Sequence, residues 1–101
     1  MEYRRLGKSG LPISELSFGS WITFGNQIQN GVSERLMDIA YEAGVNFFDN
    51  AEVYAAGASE VVMGEILHKK NWSRDSYLVS SKVFFGAGAQ VPTQKGLHRK
   101  Q

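Results

Sequence analysis

Three polar residues, Asp49, Tyr54 and Lys82, could together perform proton transfer. Asp49 closes an apolar run at residues 45–48, Tyr54 lies five residues further along, and Lys82 ends an apolar, β-branched segment. A tyrosine hydroxyl has a pKa of about 10, and a neighbouring ammonium lowers that pKa because it favours the phenolate. An aspartate paired with the lysine would compensate its charge and hold it in place. Such a tyrosine could donate a proton to a carbonyl oxygen while hydride reaches the carbonyl carbon.

Each of these residues also has a purely structural interpretation. Asp49 could cap a turn, a role that lone aspartates at strand ends take more often than a catalytic one. Tyr54 could be a packing aromatic whose hydroxyl stays in water. Lys82 is harder to explain in this way, because a lysine within an apolar strand is costly unless its charge is paired. From spacing alone, both interpretations stay open.

The elements along the chain place these residues at or just after the ends of strands. Residues 3–14 are predicted to form a hairpin around Lys8-Ser9-Gly10, within an N-terminal unit at residues 1–14. Strands are predicted to start near residues 16, 45 and 77, and the third covers the segment SYLVSSKVFF at residues 76–85. Residues 22–32 are predicted to form a loop.

Two helices are predicted between the strands. The first has Ser33 as its N-cap and Gly44 as its stop. Its apolar face comprises Leu36, Ile39, Ala40 and Ala43. The second has Ser59 as its N-cap and Glu60 in its first turn. Its apolar stripe comprises Val62, Met63, Ile66 and Leu67, and its basic last turn comprises His68, Lys69 and Lys70.

A βα repeat of about thirty residues favours a parallel sheet with helices packed outside it. Three such strands with two helices leave two open sheet edges, so the pattern predicts part of a larger architecture. A (β/α)₈ TIM barrel has about 250 residues, and this chain would supply the first three βα units after an N-terminal hairpin. Ligands bind at the carboxyl ends of parallel strands, and these ends carry the three polar residues.

The composition narrows the function classes. The 101 residues form one domain at most, with a net charge of +1 and no cysteine, so disulfides and thiolate catalysis are excluded. The basic segment QKGLHRK near the end is predicted to be a solvated terminus. No signal peptide or run of about 18 apolar residues is present. We expect a cytoplasmic protein without membrane insertion, and nothing indicates a metal or a nucleic acid.

Three segments of the sequence resemble the amino-terminal third of the aldo-keto reductases: YRRLGKSGLPISELSFGSWITFG, VNFFDNAEVYAAGASEVVMGEIL and VSSKVFFG. The most similar branch is the one related to β subunits of voltage-gated potassium channels. The resemblance runs from Tyr3 to about Lys100 and makes residues 1–101 part of one such domain. It implies a (β/α)₈ barrel that binds NADP(H) at its carboxyl face without a Rossmann domain. The lack of a G-x-G-x-x-G motif agrees with this.

The family's catalytic tetrad comprises Asp, Tyr, Lys and His, and its first three members match Asp49, Tyr54 and Lys82. The resemblance makes Tyr54 the general acid, Lys82 the residue that tunes it, and Asp49 the partner of Lys82 and a neighbour of the cofactor ribose. Contacts with the nicotinamide end of the cofactor match Ser20, Trp21 and Gln27.

Parts of the family's site fall outside this sequence. The tetrad histidine, which some channel β subunits replace by asparagine, would lie beyond residue 101, and neither His68 nor His98 matches its position. Contacts with the adenosine 2′-phosphate come from the fifth to eighth strands of the family. Relatives have G-L-S-R-K-H where their third helix begins, whereas this chain has GLHRKQ. Residues 84–101 are therefore predicted to be a loop that leads into a truncated third helix.

Three functions follow as hypotheses. The favoured one is an NADPH-dependent reductase of a small-molecule aldehyde or ketone. The second is a nucleotide-sensing regulatory subunit with a membrane-channel partner, and the third is a fragment without function. For the isolated chain we expect little or no turnover, because a site without its remaining wall is open to water. The exposed sheet edges also favour a homo-oligomer.

Overall fold

The computed structural model describes residues 1–27 and 29–101, and of Gln27 it describes the backbone alone. In these described residues, five strands and two α-helices follow one another. They are β1 (Tyr3–Arg5), β2 (Pro12–Ser14), β3 (Phe18–Gly19), α1 (Asn30–Glu42), β4 (Phe47–Asp49), α2 (Ala58–Lys70) and β5 (Leu78–Ser80). Short helical turns lie at Thr23–Gln27, Tyr54–Gly57, Arg74–Ser76 and Pro92–Gln94.

The predicted hairpin is confirmed: β1 and β2 pair antiparallel, with Tyr3 opposite Ser14. It lies at the amino-terminal end of the parallel strands, away from the predicted site. The Tyr3 hydroxyl donates to the carbonyl of Gly44 at 2.7 Å. Ser14 and Asn46 exchange two hydrogen bonds, from the Ser14 amide to Asn46 Oδ1 (2.8 Å) and from the Asn46 amide to Ser14 Oγ (3.1 Å). These bonds fix the hairpin beside the start of β4.

The strands β3, β4 and β5 form a parallel sheet with β4 in the centre. Gly19 lies opposite Asp49, and Asp49 lies opposite Ser80. The carboxyl ends of all three strands are therefore level with one another. This arrangement confirms the predicted α/β class and the parallel βα units of a partial TIM barrel, which 101 residues do not close.

The core lies between β4 and the two helices. Successive side chains of a strand point to opposite faces, so Phe48 faces the helices and is wholly buried, whereas Phe47 and Asp49 face the other way and are half-buried. The buried apolar residues around Phe48 are Phe24, Met37, Val45, Val62, Met63 and Ile66. This packing holds Asp49 on the face that a closed barrel would enclose.

The first helix differs from its prediction at its start and on its faces. It begins at Asn30, so Ser33 lies inside α1 and is buried, and its hydroxyl donates to the carbonyl of Gln29 rather than capping the helix. Met37 fills the core, whereas Leu36 and Ile39 are exposed. The predicted stop is confirmed, because Gly44 follows the C-cap with a φ of +97°.

The second helix matches its prediction except at the N-cap. α2 begins after Gly57, which has a φ of +97°, and Ser59 lies inside the first turn. The Ser59 hydroxyl does not cap the helix because it donates to Ser20 Oγ at 3.0 Å. The predicted apolar stripe packs in the core, and Glu60 and the basic last turn lie where they were expected.

The third parallel strand is shorter than predicted. β5 ends at Ser80 because its partner β4 ends at Asp49, directly opposite. Lys82 therefore lies two residues beyond the strand rather than within it. Residues 84–101 form turns and the helical turn Pro92–Gln94. Among the residues that the structure describes, no helix combines the length and apolar character needed to cross a membrane.

Candidate active site

Asp49, Tyr54 and Lys82 come together at the carboxyl edge of the sheet, at or just after the ends of the strands as the sequence predicted. The Lys82 ammonium donates to both carboxylate oxygens of Asp49, at 2.9 and 2.8 Å, and to the carbonyl of Asn50 at 2.7 Å. The Tyr54 hydroxyl lies 3.3 Å from Lys82 Nζ. The lysine head group thus sits between the carboxylate and the phenol and contacts both.

Each element positions its residue for a local reason. Asp49 is the last residue of β4 and is fixed by the ladder on both sides. Tyr54 begins a helical turn whose next two residues, Ala55 and Ala56, have left-handed φ angles of +51° and +50°. A non-glycine residue adopts this conformation at a cost, so the surrounding contacts must hold the turn in place. The turn directs Tyr54 back over the strand ends.

The ion pair sets the charge of the site. Burial alone would raise the pKa of Asp49, but the hydrogen bonds from Lys82 and Ser80 outweigh it and hold this pKa below its usual value. Burial alone would lower the pKa of Lys82, but the hydrogen bonds with Asp49 and Tyr54 raise it above its usual value. Both groups are therefore charged at neutral pH. The 54% exposure of the Lys82 side chain to water also favours its charged form.

Trp21 lies beside Tyr54, with ring centroids 6.2 Å apart and planes inclined by 28°. A cavity of about 420 Å³ opens beside the two rings, lined by Trp21, Ile22, Asn26, Val53, Tyr54 and Ala55. Trp21 is 68% exposed, so a flat face of its indole is free for a further contact. A larger cavity of about 510 Å³ is lined by Val53, Ala56 and residues between 85 and 95, and none of the three converging residues lines it.

Ser20 does not line the cavity beside Trp21 and Tyr54. It is fully buried, and its hydroxyl donates to the carbonyl of Asp49 at 3.0 Å while accepting from Ser59. Ser20 therefore ties the ends of β3 and β4 to the start of α2, and its contact with a cofactor stays a prediction. The side chain of Gln27 lies outside the part of the chain that the structure describes, so its predicted contact stays a prediction as well.

Sequence reasoning missed two supports of the ion pair. Asn50 is buried, and its side-chain amide donates to the carbonyl of Ser59 at 3.1 Å. The backbone carbonyl of Asn50 accepts a hydrogen bond from Lys82. The alternation of β4 contained this signal, because Asn50 continues the face on which Phe48 lies. Ser80, whose hydroxyl donates to Asp49 Oδ1, could have been found only from the strand register.

The comparisons with known proteins identify the family and agree with the fold. A family model described as the aldo/keto reductase family matches residues 15–101. A crystal structure of the thermostable aldo-keto reductase Tm1743, in complex with the inhibitor epalrestat, is similar with a TM-score of 0.71 and 28% identity over 83% of this chain. A protein from Pseudomonas aeruginosa, assigned as an aldo-keto reductase, is similar with a TM-score of 0.68 and 29% identity over 81% of this chain. The chain spans 31% of the length of each.

Proposed function

This chain belongs to the aldo/keto reductase family, and we propose that it carries the proton-donating part of an NADP(H)-dependent site that reduces aldehydes or ketones. The observation that carries the proposal is the placement of the Tyr54 hydroxyl 3.3 Å from the ammonium of Lys82, which Asp49 holds by both carboxylate oxygens. Because the chain spans 31% of its solved relatives, the activity of a whole reductase is proposed for the family site to which these residues contribute.

Tyr54 is the proton donor in this proposal. A carbonyl oxygen that gains negative charge needs a donor within hydrogen-bond reach, and the Tyr54 hydroxyl borders the open cavity. Lys82 stabilises the phenolate that remains after the proton has left, because its positive charge lies beside the phenol oxygen. Asp49 keeps the lysine charged and directed toward Tyr54. Lys82 Nζ also lies 5.0 Å from the centre of the Tyr54 ring, where the ring attracts the positive charge.

A nicotinamide ring fits the surroundings of Tyr54. Trp21 and Tyr54 both line the cavity of about 420 Å³, and a flat heteroaromatic ring can stack on either of them. When bound, the reduced nicotinamide would supply the hydride. Trp21 would orient its ring, and the carboxylate of Asp49, partly accessible at 32% exposure, would accept a hydrogen bond from a ribose hydroxyl.

The test is a titration of the 101-residue chain with NADPH, followed by tryptophan emission. Trp21→Phe is the matched variant, because Trp72 also emits but stacks on Tyr41 at 3.9 Å, away from the cavity. We expect weak, saturable quenching in the original chain and none beyond the optical absorption of NADPH in Trp21→Phe. Equal curves for the two proteins would show that the first loop forms no nicotinamide subsite.

A further inference from the structure

Glu52 connects the loop that carries Tyr54 with the chain on either side of Lys82. Its backbone N–H donates to the carbonyl of Lys82 at 3.1 Å. Its carboxylate accepts a hydrogen bond from the backbone N–H of Phe84 through Oε2, and another at 2.8 Å from Gln101 through Oε1. One residue of the tyrosine loop therefore binds the backbone at residues 82 and 84 and the last residue of the chain.

These contacts lie where the sheet no longer holds the chain. β5 ends at Ser80, so the strand ladder does not extend to Lys82. Asp49 and Asn50 bind the ammonium head of Lys82, but a lysine has a flexible four-carbon stem. If the backbone below this stem moved, the head could keep its carboxylate and still lose its place beside Tyr54. Glu52 removes this freedom because it fixes the backbone rather than the head group.

We propose that Glu52 is a positioning residue, which holds the backbone around Lys82 so that the ammonium meets Asp49 and Tyr54 in one geometry. The meaning of this geometry for reduction rests on the proposed function, whereas the positioning itself does not. The length of the Glu52 side chain matters more than its charge in the proposal, because the carboxylate accepts its hydrogen bonds from the neutral N–H groups of Phe84 and Gln101. An amide oxygen at the same distance could accept the Phe84 N–H as well.

Two variants of Glu52 separate reach from charge. Glu52→Asp keeps the carboxylate but shortens the side chain by one methylene, which withdraws it from Phe84. Glu52→Gln keeps the length and an acceptor oxygen but removes the charge. The readout is the rate at which each lysine is acetylated by dilute acetic anhydride, followed by mass spectrometry of chymotryptic peptides. Only an unprotonated, accessible amine reacts, so this rate reports how firmly the ammonium of Lys82 is held.

We expect Lys82 to react more slowly than the exposed Lys8 in the original chain. In Glu52→Asp the rate at Lys82 rises about fivefold, as for the loss of one ordinary hydrogen bond, while in Glu52→Gln it changes less than about twofold. Lys70, which pairs with Glu34 and Asp38 on the helices, is the internal reference for general loosening of the fold. Glu65→Ala, on an exposed part of α2, is the matched control for loss of an acidic side chain.

Three results would overturn the proposal: an unchanged acetylation rate of Lys82 in Glu52→Asp, an equal rise at Lys70, or a rise at Lys82 in Glu52→Gln at least as large as that in Glu52→Asp. The last would assign Glu52 an effect through charge. Acetylation needs neither cofactor nor turnover. A failed NADPH titration with the expected acetylation pattern would therefore reject the proposed function alone, and the reverse combination would reject the positioning role alone.

Discussion

Two clusters of lysine and carboxylate side chains share their chemistry and differ in their surroundings. At the carboxyl edge of the sheet, Lys82 pairs with Asp49 and lies beside Tyr54 and an open cavity. Between the helices, Lys70 of α2 pairs with Glu34 at 3.0 Å and with Asp38, both on α1. The helix cluster is the less accessible one, since the side chain of Lys70 is 21% exposed and that of Lys82 54%.

The comparison shows that a perturbed pKa does not by itself mark a functional site. Hydrogen bonds from Lys69 and Lys70 lower the pKa of Glu34, and hydrogen bonds with Asp38 and Glu34 raise the pKa of Lys70. These directions equal those at Asp49 and Lys82. Glu34 and Lys69 of the helix cluster also line a cavity, of about 350 Å³. Among the described contacts, however, the lysines of this cluster bind carboxylates only, and no tyrosine hydroxyl lies beside them. The tyrosine hydroxyl beside Lys82 distinguishes the candidate active site from the ion pairs that connect the two helices.

The largest effect is expected when this difference is removed. Tyr54→Phe deletes the proton donor and should abolish the small residual rate of NADPH-dependent aldehyde reduction expected of this chain, because a general acid usually contributes about 100-fold or more. Tyr41→Phe is the matched control, because its hydroxyl donates to Ser76 at 2.9 Å, beside the core and away from the cavity. The measurement is NADPH oxidation at high protein concentration. Equal rates in the two variants would assign any observed reduction to a source other than Tyr54.

The next largest effect is expected on the pKa values of the carboxylates when the lysine of each cluster is replaced in turn. Lys82→Met removes the partner of Asp49 but not its burial, so the pKa of Asp49 should rise, with only the hydrogen bond from Ser80 left to lower it. Lys70→Met should leave the pKa of Asp49 unchanged and raise that of Glu34, whose hydrogen bond with Lys70 is lost. Carboxyl ¹³C shifts measured against pH follow both groups in one experiment. A shift of Asp49 in Lys70→Met would mean that the two clusters are coupled.

The sequence predicted that Asp49, Tyr54 and Lys82 lie at or just after strand ends, and parallel strands bring their carboxyl ends to one edge of a sheet. The position of Tyr54 depends in addition on the helical turn Tyr54–Gly57. Asp49, Tyr54 and Lys82 therefore come together even though the third strand is shorter than predicted. The prediction that Ser33 and Ser59 are N-caps was wrong, and for Ser59 the reason is a tertiary contact. Ser59 has the acceptor Ser20, 39 residues away, and local sequence shows no such partner. Ser33 is drawn into α1 because the helix starts earlier, at Asn30.

Glu52 and the faces of α1 show the same limit. The partners of the Glu52 carboxylate include a backbone N–H, which carries no side-chain signal in a sequence. Leu36 and Ile39 satisfy helical periodicity as well as Met37 does, and only contact with Phe48 and α2 decides which face is buried. Periodicity fixes that a helix has an apolar face, but the neighbours decide where this face lies.

A smaller effect is expected from acid. The pKa of Asp49 is lowered in the folded chain, so its contribution to stability is present above its unfolded value of 3.8 and is lost as the pH falls through the lower folded value. The free energy of unfolding should therefore decrease below about pH 4, and Asp49→Asn should flatten this decrease. Urea unfolding at pH 3 and pH 6 measures it. The same slope in Asp49→Asn would assign the acid sensitivity to the helix cluster, where the pKa of Glu34 is also lowered.

The smallest effect is expected at the rim of the helix cluster. Lys69 donates to Glu34 at 2.9 Å, but its side chain is 70% exposed and Lys70 still holds the same carboxylate in its absence. Exposed ion pairs gain little because water screens them and two long side chains must be ordered. Lys69→Met should leave the urea midpoint nearly unchanged at low and high salt, whereas Lys70→Met should lower it and make it less salt-dependent. Equal losses in the two variants would mean that the cluster acts as a network rather than through Lys70, and the contrast with the single lysine of the sheet edge would then fail.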